Sequence, residues 1–84
     1  MPYIKPECRD YFDKEIEDIV ENIAQPGDLC YVIYKLLNDL TNKNKCFKTM
    51  SSLIAEVESA KLEFYRRIAA PYEDQKIIEN GDVK

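Results

Sequence analysis

A chain of 84 residues leaves room for one domain, 1–84, and a domain of that size buries only about 60% of the surface its unfolded form exposes. Its 45% of hydrophobic residues and nine aromatics suffice to fold it, but the core is marginal, and self-association is expected to supply the missing burial. A net charge of −4 makes a poor general nucleic-acid binder, because such affinity comes from neutralising phosphates, and the lack of histidine excludes a Cys–His or Ser–His catalytic pair within the chain.

The first element follows Pro2 and Pro6, which keep the opening residues extended or turn-like, with one helical turn across Glu7–Tyr11. Asp13 is the expected N-cap of the first long helix. From there Phe12, Ile16, Ile19, Val20 and Ile23 recur at three- and four-residue steps as one apolar stripe, with Glu15, Glu17, Asp18 and Glu21 on the other side. The helix is expected to stop at Gln25, since Pro26-Gly27 cannot continue it. Asp28 is the expected cap of the second helix, whose broader stripe of Leu29, Val32, Ile33, Leu36, Leu37 and Leu40 predicts the most buried element. Thr41–Lys45 reads as a loop.

The third helix is predicted from near Lys48 or Thr49 to about Ala69. Met50, Leu53, Ile54, Val57, Ala60, Phe64 and Ile68 keep its period. Leu62 and Tyr65 lie off that stripe and are read as a subunit contact. Pro71 is expected to break the helix and to open a short fourth one ending near Gly81. No useful strand alternation exists. The expected fold is all-α, a small three-helix bundle with a short C-terminal helix after Pro71, packed as a homo-oligomer.

Charge is unevenly spread. Residues 1–28 carry three basic and eight acidic side chains, whereas 43–67 carry six basic and three acidic ones. The basic stretch either faces the acidic first helix, within a chain or between subunits, or binds one compact anion. Cys8, Cys30 and Cys46 have no zinc-ligand spacing, so no metal site and no cofactor are expected from them. Cys30 reads as core, and Cys8 and Cys46 as exposed. No segment resembles a signal peptide, and no apolar run approaches the ~20 residues that span a bilayer. A cytoplasmic location and no membrane association are the expectations.

Chemistry has few candidates. The only glycines, Gly27 and Gly81, cannot form a phosphate loop. A magnesium-dependent nucleotide hydrolase of the small all-α kind would need glutamates one helical turn apart on facing helices. Glu17 and Glu21 have that spacing, but Glu56 meets Ser59 and Ala60 a turn later, and Glu63 meets Arg66 and Arg67. What remains is Lys61, Tyr65, Arg66, Arg67 and Tyr72. Arginine binds phosphate in a bidentate fork and tyrosine stacks on a base, so these five are the candidate ligand-binding residues for a small anionic ligand of nucleotide type. The competing reading is local pairing, Glu63 with Arg66 or Arg67 and Glu58 with Lys61.

The strings Met1-Pro2-Tyr3-Ile4, Pro26–Ile33, Ala60–Arg67, Ala70–Asp74 and Glu79–Val83 together resemble a family of small uncharacterised proteins of phages, prophages and bacteria. The resemblance spans nearly the whole chain, is weakest at 42–52, and departs at Lys14, where the family often has proline. It implies a helical fold and a phage or bacterial cytoplasmic setting, and no catalytic residues. In size and class the chain is similar to oligomeric phage sponges that sequester immune signalling nucleotides between subunits, an analogy without a shared motif. The function expected is non-enzymatic binding and sequestration of such a nucleotide. The alternatives are an interaction module that inhibits or bridges a host protein, and the magnesium hydrolase.

Overall fold

The computed structural model describes residues 2–83, so Met1 and Lys84, the ends of the expected domain, lie outside them. The all-α class is as expected: α1 spans Pro6–Asn22, α2 Asp28–Thr41, α3 Phe47–Phe64, a π-helical segment Tyr65–Ala69 and α4 Ala70–Asn80, with no strand among the described residues. The chain divides into two units, Tyr3–Leu53 and Met1–Pro2 with Ile54–Lys84.

In the first unit α1 begins at Pro6, seven residues before the expected cap at Asp13. Pro6 occupies the first turn, where its missing N–H and fixed φ cost nothing, and Lys5 enters in an extended conformation. Glu7 adds a negative charge at the positive end of the helix. The residue at position 14 is lysine, which has the N–H a proline lacks, so the helix runs through and Lys14 pairs with Asp18 at 2.8 Å.

The end of α1 also falls short of Gln25, and the cause is Asp28. Its Oδ2 accepts hydrogen bonds from the N–H groups of Ala24 and Gln25, both at 3.0 Å, which takes those two residues out of the helical ladder. Asp28 therefore closes the turn behind it and is not the cap of α2. That position belongs to Gly27, at φ 99°, a conformation open to glycine and unfavourable for residues with a Cβ.

These two hydrogen bonds, Ala24 first, hold the Asp28 carboxyl below its ordinary 3.8. The folded form thus takes up this proton less readily than the unfolded chain. The stabilisation is full above about pH 4 and is lost as pH falls through the lowered folded value. Thermal melts of Asp28→Asn at pH 7, 5 and 3 are expected to lie below wild type at pH 7 and to converge on it at pH 3. A gap that stays constant with pH would assign the effect to shape and not to charge.

Half-buried apolar side chains in this unit are Ile19 from α1, Ile23 just after it, Val32, Ile33 and Leu37 from α2, and Leu53 from α3. They are the inner members of the expected stripes. The outer members stay open to solvent, with Ile16 at 52%, Val20 at 64%, Leu29 at 56% and Leu36 at 54% exposure. No described side chain is buried. Cys30, expected in the core, is exposed, and Cys8, expected to be exposed, is half-buried. Cys30 is the third residue of α2, off the half-buried Val32–Ile33–Leu37 face.

Cys46 is exposed as expected and stands at the entrance of α3, where its carbonyl accepts the Met50 N–H at 3.2 Å. Its Sγ lies 3.3 Å from the Thr49 hydroxyl. That hydrogen bond, followed by the N–H groups of Thr49 and Lys48, lowers the thiol from its ordinary 9.0. A thiolate at a helix N-terminus reacts faster at neutral pH. Iodoacetamide labelling of Cys46, followed by peptide mass spectrometry, should saturate at lower pH in wild type than in Thr49→Val.

Candidate functional site

The candidate residues lie along the helical run from α3 through α4. Pro71 does not interrupt this run. Proline cannot donate to the ladder, and its ring collides with the carbonyl four residues earlier, here that of Arg67. The chain relieves the collision by widening one turn. Ala70 donates its N–H to the Tyr65 carbonyl five residues back, the signature of a π-turn, and α4 continues with Pro71 in its first turn. The expected break is thus an inserted residue, and it falls on Tyr65, Arg66 and Arg67.

This insertion changes which side chains share a face. In a regular helix, residues eight apart differ by about 80° around the axis and residues seven apart by about 20°. With one residue absorbed, Tyr65 and Glu73 behave as a pair seven apart. Glu73 accordingly accepts a hydrogen bond from the Tyr65 hydroxyl and, with its own charge and that of Asp74, raises the phenol above its ordinary 10.0. The same shift turns Tyr72 away from Tyr65.

The other candidates are also engaged. Lys61 Nζ lies 3.0 Å from Glu58 Oε1. Arg66 donates Nε–H to Glu63 Oε1 at 2.6 Å, with Nη2 on the same oxygen. Lys76 Nζ sits 5.5 Å from the centre of the Tyr72 ring. Arg67 is exposed. The local pairing read from the sequence, Glu58 with Lys61 and Glu63 with Arg66, is therefore present. An exposed pair such as Lys61–Glu58 contributes only about 0.2–0.5 kcal/mol, whereas in Arg66–Glu63 the guanidinium is exposed and the Glu63 side chain is half-buried. Arg66 uses two of its five N–H donors on Glu63, which leaves three.

A hollow of about 280 Å³ opens beside Arg66, lined by Pro2, Ser59, Leu62, Glu63 and Arg66. Of the five predicted ligand residues only Arg66 reaches it; Lys61, Tyr65, Arg67 and Tyr72 do not line it. Ser59, Leu62 and Glu63 were legible by stepping back seven, four and three residues from Arg66 along the helix. Pro2 carried no periodic signal. The volume is close to the ~300 Å³ at which small-molecule pockets begin. A second hollow of about 320 Å³ lies between Ile19, Ile23 and Val32, with Asp28 and Tyr31 at its edge.

Glu17 and Glu21 are exposed, and among the described residues no group of three or more Cys, Asp or Glu is placed to hold a metal ion. No helix among them is long and apolar enough to cross a membrane. The fold and the site define a small all-α protein whose chemistry-bearing side chains cluster around a π-turn. The chain belongs to a family described as a domain of unknown function, DUF6899, which matches residues 1–83. No curated protein and no solved structure matches it.

Proposed function

We propose that this is a non-enzymatic binding protein of phage or bacterial origin, acting in the cytoplasm, that assembles from more than one copy and sequesters a small anionic ligand of the nucleotide class. The observation that carries the reading is the π-turn, which places Tyr65, Arg66 and Arg67 on one widened turn with Tyr72 on the following helix. Arg66 and Arg67 take the phosphate, and Tyr72 offers a ring to the base. Lys61, one turn before, adds a further positive charge. Glu63 acts as an internal stand-in for the anion until it arrives. The hollow beside Arg66 is an open one, and a neighbouring copy would supply its second wall. A nucleotide that serves as a bacterial immune signal fits this role, and its removal would blunt host defence.

The test is to incubate the pure protein with a nucleotide panel, including cyclic di- and trinucleotides, and to recover the ligand after heat denaturation. Intact release supports sequestration. Loss of the nucleotide without recovery supports the magnesium hydrolase. If nothing binds, the second reading takes its place, an interaction module that uses the exposed Leu62 and Tyr65, 57% and 53% open, against a host protein.

A further inference from the structure

Ile19, Asn22 and Ile23 close α1, and Asp28, Tyr31 and Val32 open α2. Each triple steps by three and four residues, so each shares one face of its helix. Together they line the second hollow, of about 320 Å³. All six belong to the unit Tyr3–Leu53, so its walls are set within that unit. The half-buried Ile19, Ile23 and Val32 make its apolar wall, and Asn22, Asp28 and Tyr31 are its polar members.

The hollow is negative. Asp28 is its one charged member, and the 28 residues it ends carry eight acidic and three basic side chains. Both N–H bonds that fix its carboxylate fall on Oδ2, which leaves Oδ1 to accept. No lysine or arginine of the described residues pairs with it. Lys35, the next basic residue along α2, is held by Asp39 at 3.0 Å. Lys43, Lys45 and Lys48 follow the far end of α2, and Lys5 and Arg9 lie at the far end of α1, each about 20 Å along its helix from the hollow. In the other unit Lys61, Arg66 and Lys76 are each held by a carboxylate one turn away, and Arg67 is engaged as well. The cation that Asp28 lacks therefore comes from outside the chain.

We propose that this hollow binds a compact alkylammonium, one primary amine on a chain of about four to six carbons. The ammonium donates to Asp28 Oδ1 and to the Asn22 amide oxygen, and lies against the Tyr31 ring, which is 65% exposed. The alkyl chain covers Ile19, Ile23 and Val32. A polyamine fits less well, because its further charges would fall on this apolar wall. The site is separate from the π-turn, and it stands or falls apart from nucleotide binding.

The test is to titrate the protein with n-butylammonium while following its amide proton–nitrogen spectrum. Saturable shifts are expected at Ile19–Val32, Ala24 and Gln25 among them. Affinity should rise about fourfold for each added methylene up to hexylammonium, the equivalent of ~0.8 kcal/mol per buried CH₂. Butan-1-ol, of the same length without the charge, should bind at least about tenfold more weakly, and Asp28→Asn should cost butylammonium as much. Tyr31→Leu, at an exposed position, keeps the fold and should cost about threefold. Equal binding of amine and alcohol overturns the proposal, as do shifts outside the α1–α2 turn or none that saturate. Full affinity in Tyr31→Leu together with a folded Asp28→Asn overturns it too. Nα-acetyl-lysine methylamide carries the same ammonium on a peptide, and tighter binding by it would overturn the free amine as the occupant in favour of a protein's lysine.

Discussion

Arg66→Ala is expected to weaken nucleotide binding about 10- to 150-fold, the equivalent of about 1.5–3 kcal/mol for a hydrogen bond to a charged group. Arg67→Ala should lose affinity in the same range, with oligomer size unchanged in both. The bond between Arg66 and Glu63 sharpens this expectation. Glu63 Oε1 holds two of the guanidinium N–H groups, so a phosphate binds against that carboxylate and not into an empty site. Glu63→Gln keeps the side-chain shape and removes the charge, and it should tighten binding where Arg66→Ala weakens it. Glu21→Ala on α1, away from the cluster, should change nothing. Isothermal titration with the nucleotide recovered from the panel reads all four variants. Equal affinity in wild type, Arg66→Ala and Arg67→Ala would reduce the cluster to surface pairing.

The parts of this molecule that were legible in advance are those set by local periodicity. The stripes of α2 and α3 follow from side-chain recurrence alone, and so do the pairs Lys61–Glu58 and Arg66–Glu63, which sit three residues apart on one helix. What escaped was decided by single side chains acting on the backbone. Asp28 looked like a cap for the helix it begins, yet its carboxylate turned back on Ala24 and Gln25 and shortened α1. Pro6 read as part of an extended or turn-like opening before a single helical turn, and is the first residue of a continuous helix. Burial misled for a different reason. Periodicity identifies which face of a helix is apolar, but not whether the cover comes from the same chain, and here Leu29, Leu36 and Phe64 remain largely open. Of the candidate site, the residue types and their stretch were readable, while the hollow formed by Pro2 with Ser59, Leu62 and Glu63 depended on where the N-terminal residues lie.

Pro71→Ala is expected to make the protein more stable and a poorer ligand binder at once. Alanine restores the N–H and removes the ring, so the ladder through Tyr65–Ala69 can close with regular four-residue bonds. The gain is bounded by the ~3 kcal/mol by which alanine exceeds proline in a helix interior, less whatever the widened turn already relieves. Loss of the inserted residue rotates α4 by about 100° relative to the segment before it. Glu73 then leaves the Tyr65 face, and the Tyr65 phenol, now raised by the Glu73 hydrogen bond and charge, should return towards 10.0. Because a raised phenol keeps its proton in the folded form, that contact stabilises below the unfolded value and is lost as pH rises through the folded one. Ultraviolet titration should therefore show the raised Tyr65 step moving down in Pro71→Ala and missing in Tyr65→Phe. The same rotation changes where the Tyr72 ring lies around the axis relative to Arg66 and Arg67, the guanidinium groups with which it would hold base and phosphate. Single π-turns inside helices are frequent at functional sites. If Pro71→Ala melts higher, loses the high phenol and still binds with wild-type affinity, the π-turn serves the fold alone and the ligand lies elsewhere.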